Sequence, residues 1–365
     1  MNKKAMLAFS LFVTISLLAC SSETTSKSQL EPLVKASPKN IILFIGDGMG
    51  PSYMKAYRMF KDDPHTTKVE LTRFDPLFVG LLSTDPSVLD DVTDSAASAT
   101  AMATGYKVAN GVLSVDKSNK ALVTVLERAK QLGLSTGLVA TSTISHATPA
   151  AFASHINNRR LQAKIADQYI DNRYQNMPYI DVILGGGRVY FERDDRNISQ
   201  QFQQLGYQLV NTKQELLDNQ QPKVLGLFTD HVFKKMIDRD PQTPSLADMT
   251  SAAIKQLSKN KKGFFLMVEA SQIDFAGHIQ DISGVMSEMQ DLDDALQVAM
   301  QFVDNSALGD SQILLTADHS TGGLSVGTEV NGKKILRLEP KMLLRYRTYA
   351  RMGIAQSIGK PRSSW

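Results

Sequence analysis

The chain has a single cysteine, Cys20, so it can form no internal disulfide and no site built from several thiolates. Its charge is nearly balanced, with 40 Lys and Arg against 37 Asp and Glu, which gives no argument for nucleic acid as a partner. No repeat at a fixed period is apparent. A chain of 365 residues with 42% hydrophobic residues has enough apolar side chains to bury a sizeable core.

Long hydrophobic runs are also absent. The apolar run at the N-terminus, residues 5–19, is too short to span a bilayer comfortably as a helix, and Lys3 and Lys4 precede it. This pattern predicts that residues 1–19 are an export leader that is removed. Because the run ends in Leu-Leu-Ala-Cys, it resembles a bacterial lipoprotein signal in which Cys20 is lipidated. The alternative is an ordinary cleaved signal with a chance cysteine.

The residues after the leader indicate an anchored protein. Ser21 follows Cys20 where an aspartate is associated with inner-membrane retention, so we expect a lipid anchor in the cell envelope, on the periplasmic side of the outer membrane. Residues 20–38 are rich in Ser, Thr, Lys and Pro and are expected to form a flexible tether. The folded domain is predicted to cover residues 39–326. The remaining residues, 327–365, form a basic tail that we interpret as a solvated surface.

Short apolar runs without alternation punctuate the predicted domain, and such runs are typical of strands buried on both faces of a parallel sheet. Stripes of apolar residues at helical spacing lie between them, in 122–132, 252–257 and 285–303. Strands alternating with helices predict an α/β fold, a three-layer sandwich with a mostly parallel central sheet. The predicted strands are 41–45, 136–140, 182–184, 264–268 and 313–316.

Polar side chains follow four of these runs, where ligands bind in open α/β sheets. Asp47, Glu269 and the Asp318-His319 pair come directly after their strands, and Thr148 comes shortly after 136–140. We therefore expect these groups to meet at one edge of the sheet. Thr148-Pro149 also reads as a helix start, with Thr148 as the cap.

The chemistry of these side chains indicates metals. Asp274 and His278 are spaced to share one face of a helix, although such a pair is more often merely solvated. A carboxylate beside an imidazole suits Zn²⁺, and oxygen donors suit Mg²⁺. The carboxylate–imidazole pairs are Asp274 with His278 and Asp318 with His319, and the oxygen donors are Asp47, Thr148 and Glu269.

The candidate nucleophile is Ser95, which lies in a run of very small residues, 93–101. If a helix begins there, its free N–H groups favour a phosphate. The same run also fits a tightly packed helix with Asp94 or Ser95 as its N-cap. Serine is a weak nucleophile that must be activated, and a metal bound to its oxygen would do so.

Together these segments resemble the alkaline phosphatase family of bacteria. The match runs in order from about residue 38 to about residue 326, and five coincident motifs make a chance match very unlikely. The motifs are 40–50 (NIILFIGDGMG), 92–101 (VTDSAASATA), 146–151 (HATPAA), 268–278 (VEASQIDFAGH) and 316–319 (TADH).

The resemblance implies roles for individual residues. Ser95 would form a covalent phosphoserine, Arg159 would clamp the phosphate, and Asp94 would orient that arginine. His146 stands where some members have aspartate, which places it at or beside the magnesium site. The implied ligands are Asp47, Asp318 and His319 for the zinc that activates the serine, Asp274 and His278 for the other zinc, and Asp47, Thr148 and Glu269 for magnesium.

The resemblance breaks at the second zinc. The family normally supplies a third protein ligand there, a histidine well beyond the Asp–His pair, whereas His319 is the last histidine of this chain. With only Asp274 and His278 as ligands, we expect that zinc to be weakly held or completed by water. Phosphate binding would then persist with reduced or lost turnover.

Three functions therefore stay open at this stage. The first is hydrolysis of small phosphate monoesters, the second is a lipoprotein that binds phosphate and metal without turnover, and the third is hydrolysis of other esters. Ser95 lacks the following x-Pro-x-Arg of a sulfatase nucleophile, and together with Arg159 it favours monoesters. The resemblance also suggests a homodimer.

Overall fold

The computed structural model describes residues 38–63, 65–67, 69–88, 92–305, 311–326, 329–330 and 333–334. Cys20, the predicted leader and nearly all of the predicted tether lie outside these residues, as does most of the 327–365 tail. Within the described part of the chain, no helix is both long enough and apolar enough to cross a membrane.

A seven-stranded sheet with the order β6-β7-β5-β2-β8-β1-β9 forms the centre of the described fold. Every pairing in it is parallel, which confirms the predicted parallel sheet. Two short antiparallel pairs, β3-β4 and β10-β11, lie outside it. The strands are β1 Asn40–Gly46, β2 Ser135–Thr143, β3 Arg173–Tyr174, β4 Met177–Pro178, β5 Val182–Gly186, β6 Gln208–Val210, β7 Val224–Leu227, β8 Phe264–Ala270, β9 Ser311–Ala317, β10 Glu329–Val330 and β11 Lys333–Lys334.

Helices occupy most of the connections between strands, as a parallel sheet requires. Two short 3₁₀ turns, Asp75–Leu77 and Met236–Asp238, supplement them. The α-helices are α1 Pro51–Lys61, α2 Ser95–Thr104, α3 Val125–Gln131, α4 Ala147–Ala151, α5 Gln162–Asp171, α6 Arg188–Phe191, α7 Ile198–Gln204, α8 Lys213–Asp218, α9 Leu246–Leu257, α10 Gln272–His278 and α11 Ile282–Asn305.

The sheet is covered on both faces, because successive side chains of a strand point to opposite sides. In β1, Ile42 and Phe44 pack into one apolar core, while Ile45 packs into the other. The first core is completed by α1, α9, α10 and α11, and the second by α2, α3, α4, α5 and α7. This arrangement confirms the predicted three-layer α/β sandwich.

The five predicted strands correspond to β1, β2, β5, β8 and β9, and the three predicted helical stripes correspond to α3, α9 and α11. Gly133 has a φ of 82°, as expected for the residue that ends the turn after α3. The predicted cap of α4 is wrong. His146 occupies the N-cap position and Thr148 lies inside the helix, buried with its neighbours.

Candidate active site

The site lies at the carboxyl edge of the sheet, around the end of β1. Ile45 of β1 is in register with Glu269 of β8 on one side and with Thr316 of β9 on the other. Asp47 and Asp318, which directly follow β1 and β9, therefore converge with Glu269. All three carboxylates are fully buried. The parallel register thus brings together groups that lie far apart in sequence.

Buried carboxylates this close together repel each other when they carry no cation. Burial, with the charges of Asp318, Asp274 and Glu269, holds the pKa of Asp47 well above its usual range. Burial likewise raises the pKa of Glu269 to about 7, and Asp318 adds to the rise. An electrostatic environment of this kind favours a bound cation and is typical of functional sites.

The donor atoms fit metal ions. Ligand atoms of Asp47, His146 and Glu269 lie within 4.8 Å of one another, and so do those of Asp47, Asp274 and His319. Several buried oxygen and nitrogen atoms that could bind a metal have no hydrogen-bond partner among the described residues. Leaving them unpaired would destabilise the fold unless a further ligand binds them. They are both carboxylate oxygens of Asp47, Nδ1 of His146, Oγ1 of Thr148, Oε1 of Glu269 and Oδ2 of Asp318.

The residues of the two groups suit different ions. Asp47, Glu269 and Thr148 offer oxygens, which Mg²⁺ prefers, and His146 lies against them. Asp318 and His319 add a carboxylate and an imidazole, a combination that suits Zn²⁺. Asp47 belongs to both groups, so its carboxylate is shared by the two candidate clusters.

Asp274 and His278 lie on one face of α10, as their spacing predicts, with Oδ2 and Nε2 3.3 Å apart. The carboxylate of Asp274 is buried, whereas the side chain of His278 is 68% exposed. Asp274 also comes within reach of Asp47 and His319. His278 therefore forms the solvent side of the site and Asp274 its floor.

Ser95 is the first residue of α2, where the helix N-terminus favours an anion. Asp94 is the N-cap, and its carboxylate accepts a hydrogen bond from the Ala97 amide at 2.9 Å. Ser95 Oγ lies 3.2 Å from Nε2 of His319. The helix packs closely because its buried side chains are nearly all alanine, serine or threonine. The structure therefore confirms the tightly packed helix with Asp94 as its N-cap, and the phosphate-binding interpretation of its first turn stays a prediction.

Arg159 reaches the same edge from the loop after α4. Its Nη1 donates to Oδ2 of Asp94 at 3.0 Å, and its Nη2 lies 3.3 Å from Nε2 of His146. Asp94 Oδ2 also accepts from the Gly111 amide at 2.9 Å. Burial and the charge of Arg159 lower the pKa of His146 to about 3, so this imidazole is neutral. The guanidinium is thus held by the carboxylate of Asp94, the residue that caps the helix of Ser95.

Sequence reasoning missed Thr321. Its hydroxyl donates to Oδ1 of Asp274 and lies 3.2 Å from Nδ1 of His319, so it links the two sides of the site. Gly48 makes room for it, because a Cβ there would lie 2.4 Å from Thr321 Oγ1 and its φ of 69° is left-handed. The available signal was position, since Thr321 lies two residues after His319 at the end of β9.

Comparison with known proteins gives a consistent set of matches. The family model for alkaline phosphatase matches residues 38–352. Alkaline phosphatase 4 of Bacillus subtilis is 46% identical over 93% of this chain, and the match covers 73% of its own length. Alkaline phosphatase 3 of the same organism is 50% identical over 80% of this chain and 63% of its own length.

Solved structures agree with the sequence matches. A cold-active alkaline phosphatase from a psychrophilic Shewanella has a TM-score of 0.73 and 44% identity, over 79% of this chain and 70% of its own. The alkaline phosphatase of the Antarctic bacterium TAB5 has a TM-score of 0.71 and 32% identity, over 82% of this chain and 84% of its own. A histidine-to-glutamate variant of the TAB5 enzyme has magnesium bound in its M3 site.

Proposed function

This chain belongs to the alkaline phosphatase family of phosphoric monoester hydrolases, and from that we propose that it hydrolyses phosphate monoesters through a phosphoserine at Ser95. The observation that carries the proposal is the position of Ser95. It begins a helix, and its hydroxyl lies 3.2 Å from Nε2 of His319, a nitrogen that also lies 3.3 Å from the buried carboxylate of Asp318. The substrates would be small phosphate monoesters, and the product is inorganic phosphate.

In the proposed reaction, Ser95 Oγ loses its proton and attacks phosphorus while the ester P–O bond breaks. The alcohol leaves with a proton, and the phosphoryl group stays on Ser95. A water molecule then attacks the phosphoserine, which regenerates the hydroxyl and releases phosphate. The N-terminus of α2, where Ser95 lies, would favour the negative charge of the phosphate.

Metal ions, when bound, would supply a Lewis acid that lowers the pKa of the serine hydroxyl and of water and that neutralises charge on phosphate. We propose that Asp47, Asp318 and His319 hold one zinc, and that Asp274 and His278 hold the other. Asp47, Thr148 and Glu269 would hold magnesium, with His146 beside them. The buried donors without partners support these assignments.

Arg159 is the proposed phosphate clamp. Its planar fork presents parallel N–H groups that suit two phosphate oxygens at once. Asp94 holds one end of the guanidinium through the 3.0 Å contact, which limits the rotation of a long side chain. Asp94 also caps the helix of Ser95. One carboxylate thereby ties the clamp to the nucleophile.

A second candidate function is phosphate and metal binding with little turnover. The observation that favours it is the second zinc site, where this chain offers Asp274 and a largely exposed His278. His146, another histidine of the site, lies with Asp47 and Glu269 instead. We propose that the chain binds this zinc less tightly than the other zinc.

For its location, we propose that Cys20 carries a lipid that anchors the protein in the outer membrane, facing the periplasm. The leader pattern in residues 1–19 supports this. Labelling cells with a fatty-acid analogue tests it: the wild-type chain should incorporate the label and Cys20→Ser should not. Label in Cys20→Ser would contradict it. We also propose a homodimer, which sedimentation of the purified protein would test.

The test of the activity is hydrolysis of an aryl phosphate by the purified chain at alkaline pH with Zn²⁺ and Mg²⁺. We expect turnover that a chelator abolishes and that Ser95→Ala removes without loss of metal. Ser98→Ala, one turn along α2, is the matched control and should keep its turnover. Absent turnover with phosphate still bound would select the second candidate. Full turnover in Ser95→Ala would refute the nucleophile.

A further inference from the structure

His155 is a histidine that the proposed reaction does not use, and both of its ring nitrogens face hydrogen-bond acceptors. Nδ1 lies 2.9 Å from the carbonyl oxygen of Ser114, and Nε2 lies 2.8 Å from Oε1 of Glu127. Since neither a carbonyl nor a carboxylate can donate, the ring must donate from both nitrogens. Only the protonated imidazolium carries two N–H groups.

The surroundings of the ring favour that charged form. Burial alone would lower the pKa of His155, but the hydrogen bond to Glu127, its negative charge and the Ser114 carbonyl together raise it. The groups that face the ring are Glu127 from α3 and the Ser114 carbonyl, while Gln168 of α5 contacts only the backbone of His155. The second oxygen of Glu127 accepts from the Thr124 amide.

Two chain segments pair through backbone hydrogen bonds to form a short ladder. His155 lies at one end of this ladder, and Arg159, the proposed phosphate clamp, lies at the other. Residues 154–159, the Arg159 segment, run beside residues 111–115, the glycine segment. Leu113 and Ile156 exchange two backbone hydrogen bonds of 2.8 and 2.9 Å, and the Arg159 amide donates to the Gly111 carbonyl at 2.8 Å. The Gly111 amide in turn donates to Oδ2 of Asp94.

The glycine segment is also tied to the helix of the nucleophile. The Thr100 hydroxyl of α2 donates to the Val112 carbonyl at 3.1 Å and accepts from the Ser114 amide at 3.0 Å. Ser114 adopts a φ of 46°, which is uncommon for a residue other than glycine. The carbonyl oxygen of this residue is the one that faces Nδ1 of His155.

We propose that His155, as an imidazolium bonded to Glu127 and to the Ser114 carbonyl, is a positioning residue that holds Arg159 in place to bind phosphate. It touches no reacting atom. It joins α3 to the glycine segment and so fixes the register of the ladder that presents Arg159 to Asp94. This inference rests on the proposed role of Arg159 as the phosphate clamp.

A specific dependence on pH follows. As the pH rises through the raised pKa of His155, the ring loses one proton and one of its nitrogens faces an acceptor without a hydrogen. The ladder then loosens and phosphate binds less tightly. In Glu127→Gln the amide can donate to a neutral ring, so both contacts survive without the charge. That variant should keep its phosphate affinity and lose this part of the pH dependence.

The experiment measures inorganic phosphate binding by calorimetry to the full chain loaded with Zn²⁺ and Mg²⁺. We expect His155→Gln to weaken binding about tenfold, within the usual coupling between contacting residues. In an Arg159→Ala background, His155→Gln should weaken it no further, because its effect passes through the arginine. His231→Gln, which changes an exposed histidine, is the matched control and should bind as the wild type does.

Equal effects of His155→Gln with and without Arg159 would overturn the inference, as would unchanged affinity in His155→Gln. If His155→Gln does not fold, Glu127→Gln decides alone: a pH profile of phosphate affinity identical to that of the wild type overturns the inference. Unchanged affinity in Arg159→Ala is a different outcome, because it refutes the clamp in the proposed function. Circular dichroism and the thermal midpoint monitor folding of each variant.

Discussion

Ser95 Oγ lies 3.2 Å from Nε2 of His319, and the same ring nitrogen lies 3.3 Å from Oδ2 of Asp318 and 3.6 Å from Oδ1 of Asp47. In a Ser-His-acid triad, the acid bonds the other ring nitrogen. Here Nδ1 faces the Thr321 hydroxyl instead. The carboxylates and the serine thus converge on one nitrogen, an arrangement suited to a shared cation.

The first prediction concerns that nitrogen. His319→Asn should lower the zinc content of the purified protein and reduce turnover of an aryl phosphate, because the serine-side zinc loses one of its three proposed ligands. Metal analysis by mass spectrometry measures the effect. Zinc content equal to that of the wild type would show that His319 is not a ligand.

The second prediction concerns the clamp. Arg159→Ala should weaken binding of inorganic phosphate by about 1.5–3 kcal/mol, the usual worth of a hydrogen bond to a charged group. Arg159→Lys should recover part of the loss, since an ammonium keeps the charge without the fork. Arg160→Ala is the matched control, because Arg160 is adjacent and exposed. Equal losses in the two alanine variants would count against the clamp.

The third prediction concerns the buried carboxylates. Removing the metals with a chelator should lower the thermal midpoint, because Asp47 then repels Asp318, Asp274 and Glu269 in a buried site. In Asp47→Asn the chelator should lower the thermal midpoint less, because the variant lacks part of that repulsion and binds less metal before the chelator is added. Asp230→Asn, at a largely exposed carboxylate, should drop as the wild type does. No effect of the chelator on the wild type would contradict this prediction.

The fourth prediction concerns a buried ionic group outside the active site. Arg239 contacts Asp291 at 2.6 Å and Glu288 at 3.3 Å, and all three side chains are almost fully buried. Burial, opposed by Arg239 and reinforced by Asp291, raises the pKa of Glu288 from 4.5 to about 8. Between these values the folded protein keeps a proton that the unfolded chain releases. Its stability therefore falls as the pH rises through this range.

Glu288→Gln should remove this contribution. The free energy of unfolding of the variant should decline less steeply with pH, by up to about 1.4 kcal/mol per pH unit. Denaturant titrations at a series of pH values between these limits measure the difference. Glu192→Gln, at an exposed glutamate, is the control and should follow the wild type. Parallel pH profiles for wild type and Glu288→Gln would refute the prediction.

The sequence predicted the five adjacent strands β5, β2, β8, β1 and β9 because each contains a continuous apolar run. Residues 41–45 form such a run, and the corresponding strand β1 lies between β8 and β9. The outer strands β6 and β7 were not predicted, because β6 begins with Gln208 and β7 is short and contains Gly226. Neither strand therefore gives the uninterrupted apolar run that identified the other five.

The parts of the site that depend on residues close together in sequence were predicted. Asp94 as a cap, Ser95 at a helix start and the Asp274–His278 face all follow from neighbours in sequence. The contacts of His155 with Glu127 and of Thr321 with Asp274 do not, because the fold brings together residues that lie 28 and 47 positions apart. Only the tertiary structure supplies those pairs.

The alanines of α2 have a consequence beyond packing. Ala96 and Ala99 are completely buried and pack into the second core, where side chains are closely packed. A larger side chain at either position would lift the helix and carry Ser95 away from His319. These methyl groups act as a spacer that sets the reach of the nucleophile. Residues with no reactive group therefore also limit which side chains this helix can accept.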